Sequence, residues 1–238
     1  DSRRVNAGDL FIAVRGWNSD GHDFLEAAAK RGAVAAIVED PLRTTLPSLA
    51  VREGRRSAAL ASAVAYGEPA RGLRLLGVTG TNGKTTTTSI MRHLLDDGSG
   101  SSASIGTLGV LVGSGGEVLP GGSGLTTPGP VELQRVLRVL VDRGVRTVAM
   151  EVSSHALDQS RVGAVRFRTA VFTNLTRDHL DYHGTMDSYG AAKSRLFSRE
   201  DLLSRVINVD DAFGRQLALD PRGRGRVVVT SRGHQSRT

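Results

Sequence analysis

A glycine-rich loop between an apolar run and a helix-like segment constrains this chain more than any other feature. Residues 73–79 form a strand-like run, followed directly by Gly80-Thr81-Asn82-Gly83-Lys84-Thr85-Thr86. Backbone N–H groups of such a loop point at phosphate oxygens, and the next helix adds the positive end of its dipole. Lys84 can reach the terminal phosphates, and the Thr85 hydroxyl can bind Mg²⁺. The loop therefore predicts a phosphate site at a strand–helix junction.

The loop departs from the strict phosphate-binding pattern at one position. That pattern places a glycine five residues before Gly83, but the residue there is Val78, and Gly77 comes one residue earlier. The alternative is a tight glycine turn that only connects a strand to a helix. The Gly-Lys-Thr-Thr run at the junction favours the phosphate site.

The spacing of apolar residues predicts alternating strands and helices. Strands are predicted at 10–14, 33–38, 73–79, 145–152, 167–173 and 206–209, and helices at 22–31, 55–66, 84–96, 131–142 and 186–197. Residues 101–124, rich in Gly and Ser, are predicted to form a strand followed by a loop. Because Gly67-Glu68-Pro69 breaks the pattern, we expect an N-terminal α/β domain over 1–70 and a P-loop ATPase-like central domain over 71–238 with a mainly parallel sheet.

The composition restricts the classes of protein to consider. Apolar residues make up 39% and charged residues 23%, which is typical of soluble globular proteins, and no apolar run approaches membrane-helix length. The absence of cysteine excludes disulfides and thiolate metal sites, and with no leader-like start it favours a cytoplasmic protein. The net charge of +7 suits an anionic ligand, but its arginines are scattered, so we expect no nucleic-acid partner.

Lysine is rare in this arginine-rich chain. Only Lys30, Lys84 and Lys193 occur among 31 basic residues, so a retained lysine can mark a place where arginine cannot substitute. Lys193 lies in a predicted helix, where it is either a solvated side chain or a lysine carbamylated by CO₂. Carbamylation needs an amine that can lose its proton, which arginine effectively cannot do. The resulting carbamate could bind Mg²⁺ or orient a water molecule.

Polar residues follow two further predicted strands. Glu151 comes at the end of the run 145–150, where ligands bind in parallel α/β sheets and a carboxylate can hold Mg²⁺. It could equally be a surface salt-bridge residue. Residues 172–183 also follow a strand, and they include His179, which could be a metal ligand or an ordinary packing residue. Spacing alone does not separate these alternatives.

Together, these motifs resemble the Mur ligase family, especially its members that add the third residue of the peptidoglycan stem. The glycine loop alone fits any Mur or folylpolyglutamate ligase, whereas the later motifs are more specific. The resemblance covers essentially the whole chain and rests on these segments: Asp1-Ser2-Arg3, Gly8 to Ala13, Asp20 to Phe24, Gly80 to Thr86, Thr126-Thr127-Pro128, Met150 to Leu157, and Phe172-Thr173-Asn174-Leu175 through His183 to Met186.

The resemblance implies a role for each matching position. The N-terminal domain would bind the uridine diphosphate end through Ser2, Trp17, Asn18 and Ser19. The muramoyl-dipeptide part would contact Thr126, Thr127, Ser153, Gln159 and Arg161. ATP would bind residues 80–86 and Asn174, and Mg²⁺ would bind Thr85, Glu151 and His179. Lys193 matches the family's carbamylated lysine, N6-carboxylysine, and together with Lys84, Glu151 and His179 it forms the implied catalytic set.

The implied reaction is an ATP-dependent ligation that supports cell-wall synthesis, and with it cell shape and division. ATP would convert a carboxylate of UDP-N-acetylmuramoyl-L-alanyl-D-glutamate into an acyl phosphate, which the amine of meso-diaminopimelate or L-lysine attacks. The resemblance also implies a monomer, and a fragment that lacks the start of the first domain and the whole C-terminal domain. Leu125 departs from the family, since some relatives carry a substrate-binding asparagine there.

Two other functions stay open at this point. The chain could bind a nucleotide and a UDP-sugar without catalysing ligation. It could also be a P-loop regulator or a nucleic-acid ATPase, as its basic charge allows. The Thr126-Thr127-Pro128 and Ser153-Ser154-His155 segments argue against the latter, because a nucleic-acid motor has no need of them.

Overall fold

The computed structural model describes residues 1–17, 19–122 and 124–233. These residues form two separate β-sheets, of three and eight strands, each covered by helices. The expected α/β architecture with a mainly parallel sheet is confirmed. Within the described ranges, no helix has the length and apolar character needed to cross a bilayer.

The N-terminal unit contains a small parallel sheet. Its strands β1 (Leu10–Ile12), β2 (Ala35–Val38) and β3 (Ser48–Ala50) lie in that order, with helices α1 (Leu25–Lys30) and α2 (Gly54–Ala65). Small side chains dominate the buried core, so helix α1 lies close to the sheet. This core contains Phe11, Ala13, Leu25, Ala28, Ala33, Ala36 and Val38.

The helix predicted at 22–31 is shorter than expected. A 3₁₀ turn, Gly21–Phe24, comes first, and the α-helix begins only at Leu25. The side chain of Asp20 accepts the N–H of His22 at 2.9 Å and so caps this turn. Three-residue 3₁₀ turns also occur at Ser2–Arg4 and Pro41–Arg43.

The larger unit is built around an eight-stranded sheet. Its strands are β4 (Arg74–Thr79), β5 (Ser102–Gly106), β6 (Gly109–Val112), β7 (Glu117–Leu119), β8 (Thr147–Glu151), β9 (Phe167–Phe172), β10 (Ser204–Asn208) and β11 (Arg226–Thr230). Its helices are α3 (Lys84–Leu95), α4 (Pro130–Asp142), α5 (Ser154–Asp158), α6 (Leu180–His183), α7 (Met186–Ser194) and α8 (Ala212–Leu219). The spatial order of the strands is β11-β10-β9-β4-β8-β5-β6-β7.

The prediction for residues 101–124 is wrong beyond its first strand. Instead of a loop, β6 and β7 follow β5 as an antiparallel extension of the sheet. Gly109, at φ +86°, closes the tight connection between β5 and β6, and a Cβ on Gly106 would lie 2.1 Å from the Glu151 carboxylate. These glycines are therefore required by a turn and by a close approach within a sheet, and they do not mark a loop.

The central strands bring the loops of interest to one edge of the sheet. Strand β4 lies between β8 and β9 and is parallel to both, with Val78 in register with Glu151 and Val171. The carboxyl ends of the three strands therefore meet, and the loops after them carry residues 80–83, 152–153 and 173–179. Helix α2 packs on α4, which joins the N-terminal unit to the larger one.

Candidate functional site

The glycine loop is held in place by the segment after β9. The backbone N–H of Thr81 donates to the Asn174 carbonyl at 2.8 Å, and the N–H of Asn82 donates to the Asn174 side chain at 3.0 Å. The Thr173 hydroxyl donates to the Asn82 carbonyl at 2.6 Å. Asn174, predicted to contact ATP, thus lies directly against the loop and fixes its shape.

Two lysines converge inside this loop. The Lys84 ammonium donates to the carbonyls of Gly80 at 2.9 Å and Thr81 at 2.8 Å, and Lys193 donates to the same Gly80 carbonyl at 3.1 Å. Lys193 is only 1% exposed, and its ammonium lies 4.3 Å from the centre of the Tyr189 ring. The interpretation of Lys193 as an ordinary solvated lysine is therefore wrong.

Burial changes the acid–base chemistry of both lysines. Burial and, as a smaller cause, the neighbouring positive charge of Lys84 lower the pKa of Lys193 to about 7, and the negative charge of Asp178 opposes this change. Burial also lowers the pKa of Lys84, while the negative charges of Glu151 and Asp178 oppose that change. Near neutral pH, a substantial share of Lys193 therefore carries a free amine that can act as a nucleophile.

Glu151 ends β8 as a buried carboxylate, with 1% of the residue exposed. One carboxylate oxygen accepts the N–H of Thr107 at 2.9 Å, and the other accepts the Thr107 hydroxyl at 3.3 Å. The part of the chain that the structure describes provides no salt-bridge partner for Glu151. The surface salt-bridge alternative is therefore wrong.

His179 belongs to a cluster of rings at the same edge. It is the N-cap residue of α6, in the left-handed conformation at φ 52°, and its ring meets that of His155 edge to face at 4.8 Å. His155 also lies 4.2 Å from Tyr182 and 5.5 Å from His183. Burial is the main cause that lowers the pKa of both His155 and His183. None of His155, Tyr182 and His183 was predicted to be a site residue, although Tyr182 and His183 lie in the Asp-His-Leu-Asp-Tyr-His segment and His155 follows Ser153-Ser154.

The predicted Mg²⁺ ligands offer oxygen and imidazole groups without forming a complete protein cage. Among residues 1–17, 19–122 and 124–233, no group of three or more His, Asp or Glu side chains is placed to hold a metal ion. Mg²⁺ usually takes one or two protein carboxylates and fills its other positions with phosphates and water. The buried, unpaired carboxylate of Glu151 close to the phosphate loop fits a cation that arrives with a nucleotide.

Four of the predicted dipeptide-binding residues form one hydrogen-bond network. The Thr127 hydroxyl donates to the Glu151 carbonyl at 2.9 Å and accepts the N–H of Ser153 at 3.0 Å. Arg161 donates to the Thr127 carbonyl at 3.0 Å and to the Gln159 side chain at 2.7 Å and 3.0 Å. The fifth, Thr126, accepts from the Thr107 hydroxyl at 3.2 Å, next to Glu151.

The predicted uridine-binding residues are divided between two places. Ser2 and Ser19 line a cleft of about 600 Å³ between the N-terminal sheet and the start of α4, with Ala58 and Pro130 among its walls. Trp17 is not among the lining residues; its ring instead lies 4.9 Å from that of Tyr182 in the larger unit. Asn18 lies outside the described residues.

Comparisons with known proteins agree with this geometry. Residues 1–69 match the family described as "Mur ligase family, catalytic domain", and residues 78–237 match the "Mur ligase middle domain". A diaminopimelate ligase of Geobacter metallireducens, named UDP-N-acetylmuramoyl-L-alanyl-D-glutamate–2,6-diaminopimelate ligase, is 48% identical over 92% of this chain and 44% of its own length. An enzyme of the same name from Xylella fastidiosa is 47% identical over 98% of this chain and 48% of its own length.

Solved structures of Mur ligases are also similar to this chain. A structure of a UDP-N-acetylmuramoyl-L-alanyl-D-glutamate–2,6-diaminopimelate ligase superposes with a TM-score of 0.82 at 31% identity, over 99% of this chain and 48% of that one. A MurF ligase of Thermotoga maritima in complex with ADP shares the fold, with a TM-score of 0.65 at 24% identity over 98% of this chain and 50% of that one. The chain spans about half the length of the curated relatives it matches. The resemblance seen in the motifs is confirmed: this chain belongs to the Mur ligase family.

Proposed function

We propose that this chain carries the ATP site and the UDP-substrate site of a ligase that extends UDP-N-acetylmuramoyl-L-alanyl-D-glutamate by 2,6-diaminopimelate. The diamino acid is the one in the names of the similar proteins. The supporting observation is that the phosphate loop follows β4, that the buried Glu151 ends the adjacent parallel strand β8, and that the Thr127–Arg161 network is hydrogen-bonded to the Glu151 carbonyl. Phosphate transfer requires the nucleotide and the accepting carboxylate to meet in this way.

ATP binds with its phosphates over residues 80–86. Lys84 exchanges its hydrogen bonds to the Gly80 and Thr81 carbonyls for bonds to the β- and γ-phosphates. Thr85 and Glu151, with His179 at the rim, are the side chains that would hold Mg²⁺, which supplies positive charge against the phosphates. The buried Glu151 carboxylate and the half-buried Lys84 ammonium keep charges of both signs within this small region.

Lys193 acts as an N6-carboxylysine. The neutral amine attacks the carbon of CO₂, a C–N bond forms, and one C=O π bond breaks as its electron pair moves to oxygen. The proton lost from nitrogen passes to solvent, which leaves a carbamate anion. This change replaces a positive charge beside Lys84 with a negative one. It is supported by the depth of the site and by a pKa lowered to about 7.

The ligation proceeds in two steps. A carboxylate oxygen of the substrate's D-glutamate attacks the γ-phosphorus of ATP, the bond to the bridging oxygen breaks, and ADP leaves. The amine of the diamino acid then attacks the acyl carbon, loses a proton, and phosphate departs with the electrons of its C–O bond. Lys84 stabilises charge on the transferring phosphoryl group, and Arg161 holds the UDP-linked substrate in place.

The remaining parts of the proposal concern domains and setting. Residues 1–70 bind the UDP end of the substrate in the cleft that Ser2 and Ser19 line, and residues 71–238 bind ATP. The protein works as a monomer in the cytoplasm, where ATP and UDP-linked precursors occur, without nucleic-acid or membrane partners.

ADP release tests this function most simply. The chain is incubated with Mg²⁺, ATP, the UDP-linked dipeptide and 2,6-diaminopimelate, and each component is omitted in turn. Release that needs all three substrates supports a ligase, and the diamino acid is replaced by L-lysine to test its identity. If ATP and the UDP-linked dipeptide bind but no ADP is released, these 238 residues form a binding unit only. Release that ignores the UDP-linked dipeptide contradicts the proposed function.

A further inference from the structure

One aromatic contact joins the N-terminal unit to the substrate-binding loops of the larger unit. The ring centroids of Trp17 and Tyr182 lie 4.9 Å apart, with the planes tilted by 39°. Trp17 is 68% exposed, so the contact covers one part of its ring and is not part of either core. A tryptophan this exposed is not needed to fold its own unit.

Trp17 lies in a tight turn that also carries a wall of the cleft. The N–H of Gly16 donates to the Ser19 carbonyl at 2.9 Å, and Arg15 pairs with Asp20 as an isolated antiparallel bridge. Ser19 lines the cleft of about 600 Å³. Because the turn is closed by these bonds, a restraint on Trp17 also restrains Ser19.

Tyr182 lies at the other end of the contact and uses its hydroxyl for a second purpose. The hydroxyl donates to Asp158 at 2.8 Å and accepts from the Gln159 side chain at 3.2 Å. Gln159 in turn accepts from Arg161, which donates to the Thr127 carbonyl. Tyr182 therefore connects the Trp17 ring on one side with the Gln159–Arg161 pair on the other.

We propose that Trp17 and Tyr182 form a clasp that sets the turn carrying Ser19 at a fixed position relative to the Gln159–Arg161 pair. Both are positioning residues in this scheme. A ligand that reaches from the cleft to Arg161 then meets two halves of its site already in place. The identity of that ligand, the UDP-linked dipeptide, rests on the proposed function.

The clasp makes a specific energetic prediction. Ordering two separate surfaces costs free energy on binding, and a contact that orders them beforehand removes part of that cost for a ligand touching both. Aromatic pairs contribute enough to change an affinity about two- to tenfold. UDP alone touches the cleft but not the Gln159–Arg161 pair, so its affinity should depend on the clasp less than that of the dipeptide.

The contact itself is tested in the free protein through fluorescence, because Trp17 is the only tryptophan of the chain. Tyr182→Ala should shift the emission to longer wavelength and raise the acrylamide quenching constant, since the covered part of the ring becomes accessible. Tyr182→Phe keeps the ring and should change both signals less, and Tyr66→Phe is the matched control. Unchanged emission and quenching in Tyr182→Ala overturn the clasp.

Calorimetry then tests what the clasp does. Trp17→Ala should weaken binding of the UDP-linked dipeptide about two- to tenfold and leave UDP within about twofold. Leu42→Ala, at a residue 95% exposed in the same unit, is the control. In a double-mutant cycle, the effects of Trp17→Ala and Tyr182→Ala on the binding free energy of the dipeptide should be non-additive. The effects of Trp17→Ala and Tyr182→Phe should be closer to additive.

The two proposals fail in different ways. If the unaltered chain binds neither UDP nor the dipeptide, the proposed function is contradicted, and the fluorescence of the free protein still decides the contact. If both ligands bind but Trp17→Ala weakens them equally or not at all, the clasp is overturned and the proposed function stands. Circular dichroism on each variant separates loss of fold from loss of affinity.

Discussion

Lys84 and Lys193 donate to the same carbonyl oxygen, that of Gly80, at 2.9 Å and 3.1 Å. Two ammonium groups at one buried carbonyl repel each other, and each loses hydration. The arrangement becomes favourable when Lys193 is neutral or carries a carbamate, or when Lys84 turns towards a phosphate. The loop is thus arranged for a bound anion.

Carbamylation of Lys193 should depend on pH in a defined direction. The reaction needs the neutral amine, so the carbamate should increase as pH rises through about 7 and decrease below it. With ¹³C-labelled bicarbonate, we expect a carbamate resonance at pH 8 that fades towards pH 6. Lys193→Gln should abolish it and Lys30→Gln should leave it in place. A resonance that survives Lys193→Gln would falsify the assignment.

The same lysine should make stability depend on pH when CO₂ is excluded. The pKa of Lys193 is about 7 in the folded chain, against about 10.4 for an unperturbed lysine, so the unfolded chain binds more protons between these values. The free energy of unfolding should therefore gain a contribution that rises with pH across this window and is constant below it. Urea titrations should show a smaller rise for Lys193→Met; an unchanged pH dependence contradicts the lowered pKa.

Lys193→Ala should strongly reduce ADP release, and an added carboxylate should restore part of it. A short carboxylate such as acetate can occupy the space of the missing carbamate and restore part of the negative charge. We expect ADP release to be strongly reduced and then partly recovered at high acetate, with chloride as the salt control. Absence of any recovery, together with no added mass on Lys193 of the unaltered chain, argues against the carbamate.

Gly80→Ala should damage the loop through a steric clash. A Cβ at this position would lie 1.9 Å from the Thr173 hydroxyl, at φ +150°. We expect a loss of about 1–3 kcal/mol in the free energy of unfolding and weaker ATP binding. Gly115→Ala, where a Cβ meets nothing within 4 Å, is the matched control and should be close to neutral. Equal stability of the two variants is the outcome that contradicts this account.

The sequence anticipated the parts of this molecule that local pattern decides. The strand, loop and helix around residues 74–95 follow from apolar spacing and from the Gly-Lys-Thr chemistry. It failed at 101–124, where glycines serve a turn and the space beside Glu151. The space beside Glu151 is required by β8, more than 40 positions away in the chain, so no local pattern contains that requirement.

The candidate site shows the same limit. The rarity of lysine drew attention to Lys193, but its burial depends on the packing of α7 under the loop. The contact between Trp17 and Tyr182 joins positions 165 residues apart. The His155–His179 contact joins the segments that follow β8 and β9, two strands separated by β4. Motifs indicate which residues carry chemistry, whereas only the fold shows which of them touch.

Crossed calorimetry on two variants tests the central claim most directly: that this one chain holds an ATP site and a separate UDP-substrate site. Lys84→Ala should abolish ATP binding and leave the UDP-linked dipeptide within about twofold, because the Lys84 ammonium donates to carbonyls of the phosphate loop. Arg161→Ala should weaken the dipeptide at least tenfold and spare ATP. If the two variants affect both ligands equally, or neither ligand binds the unaltered chain, the account is contradicted.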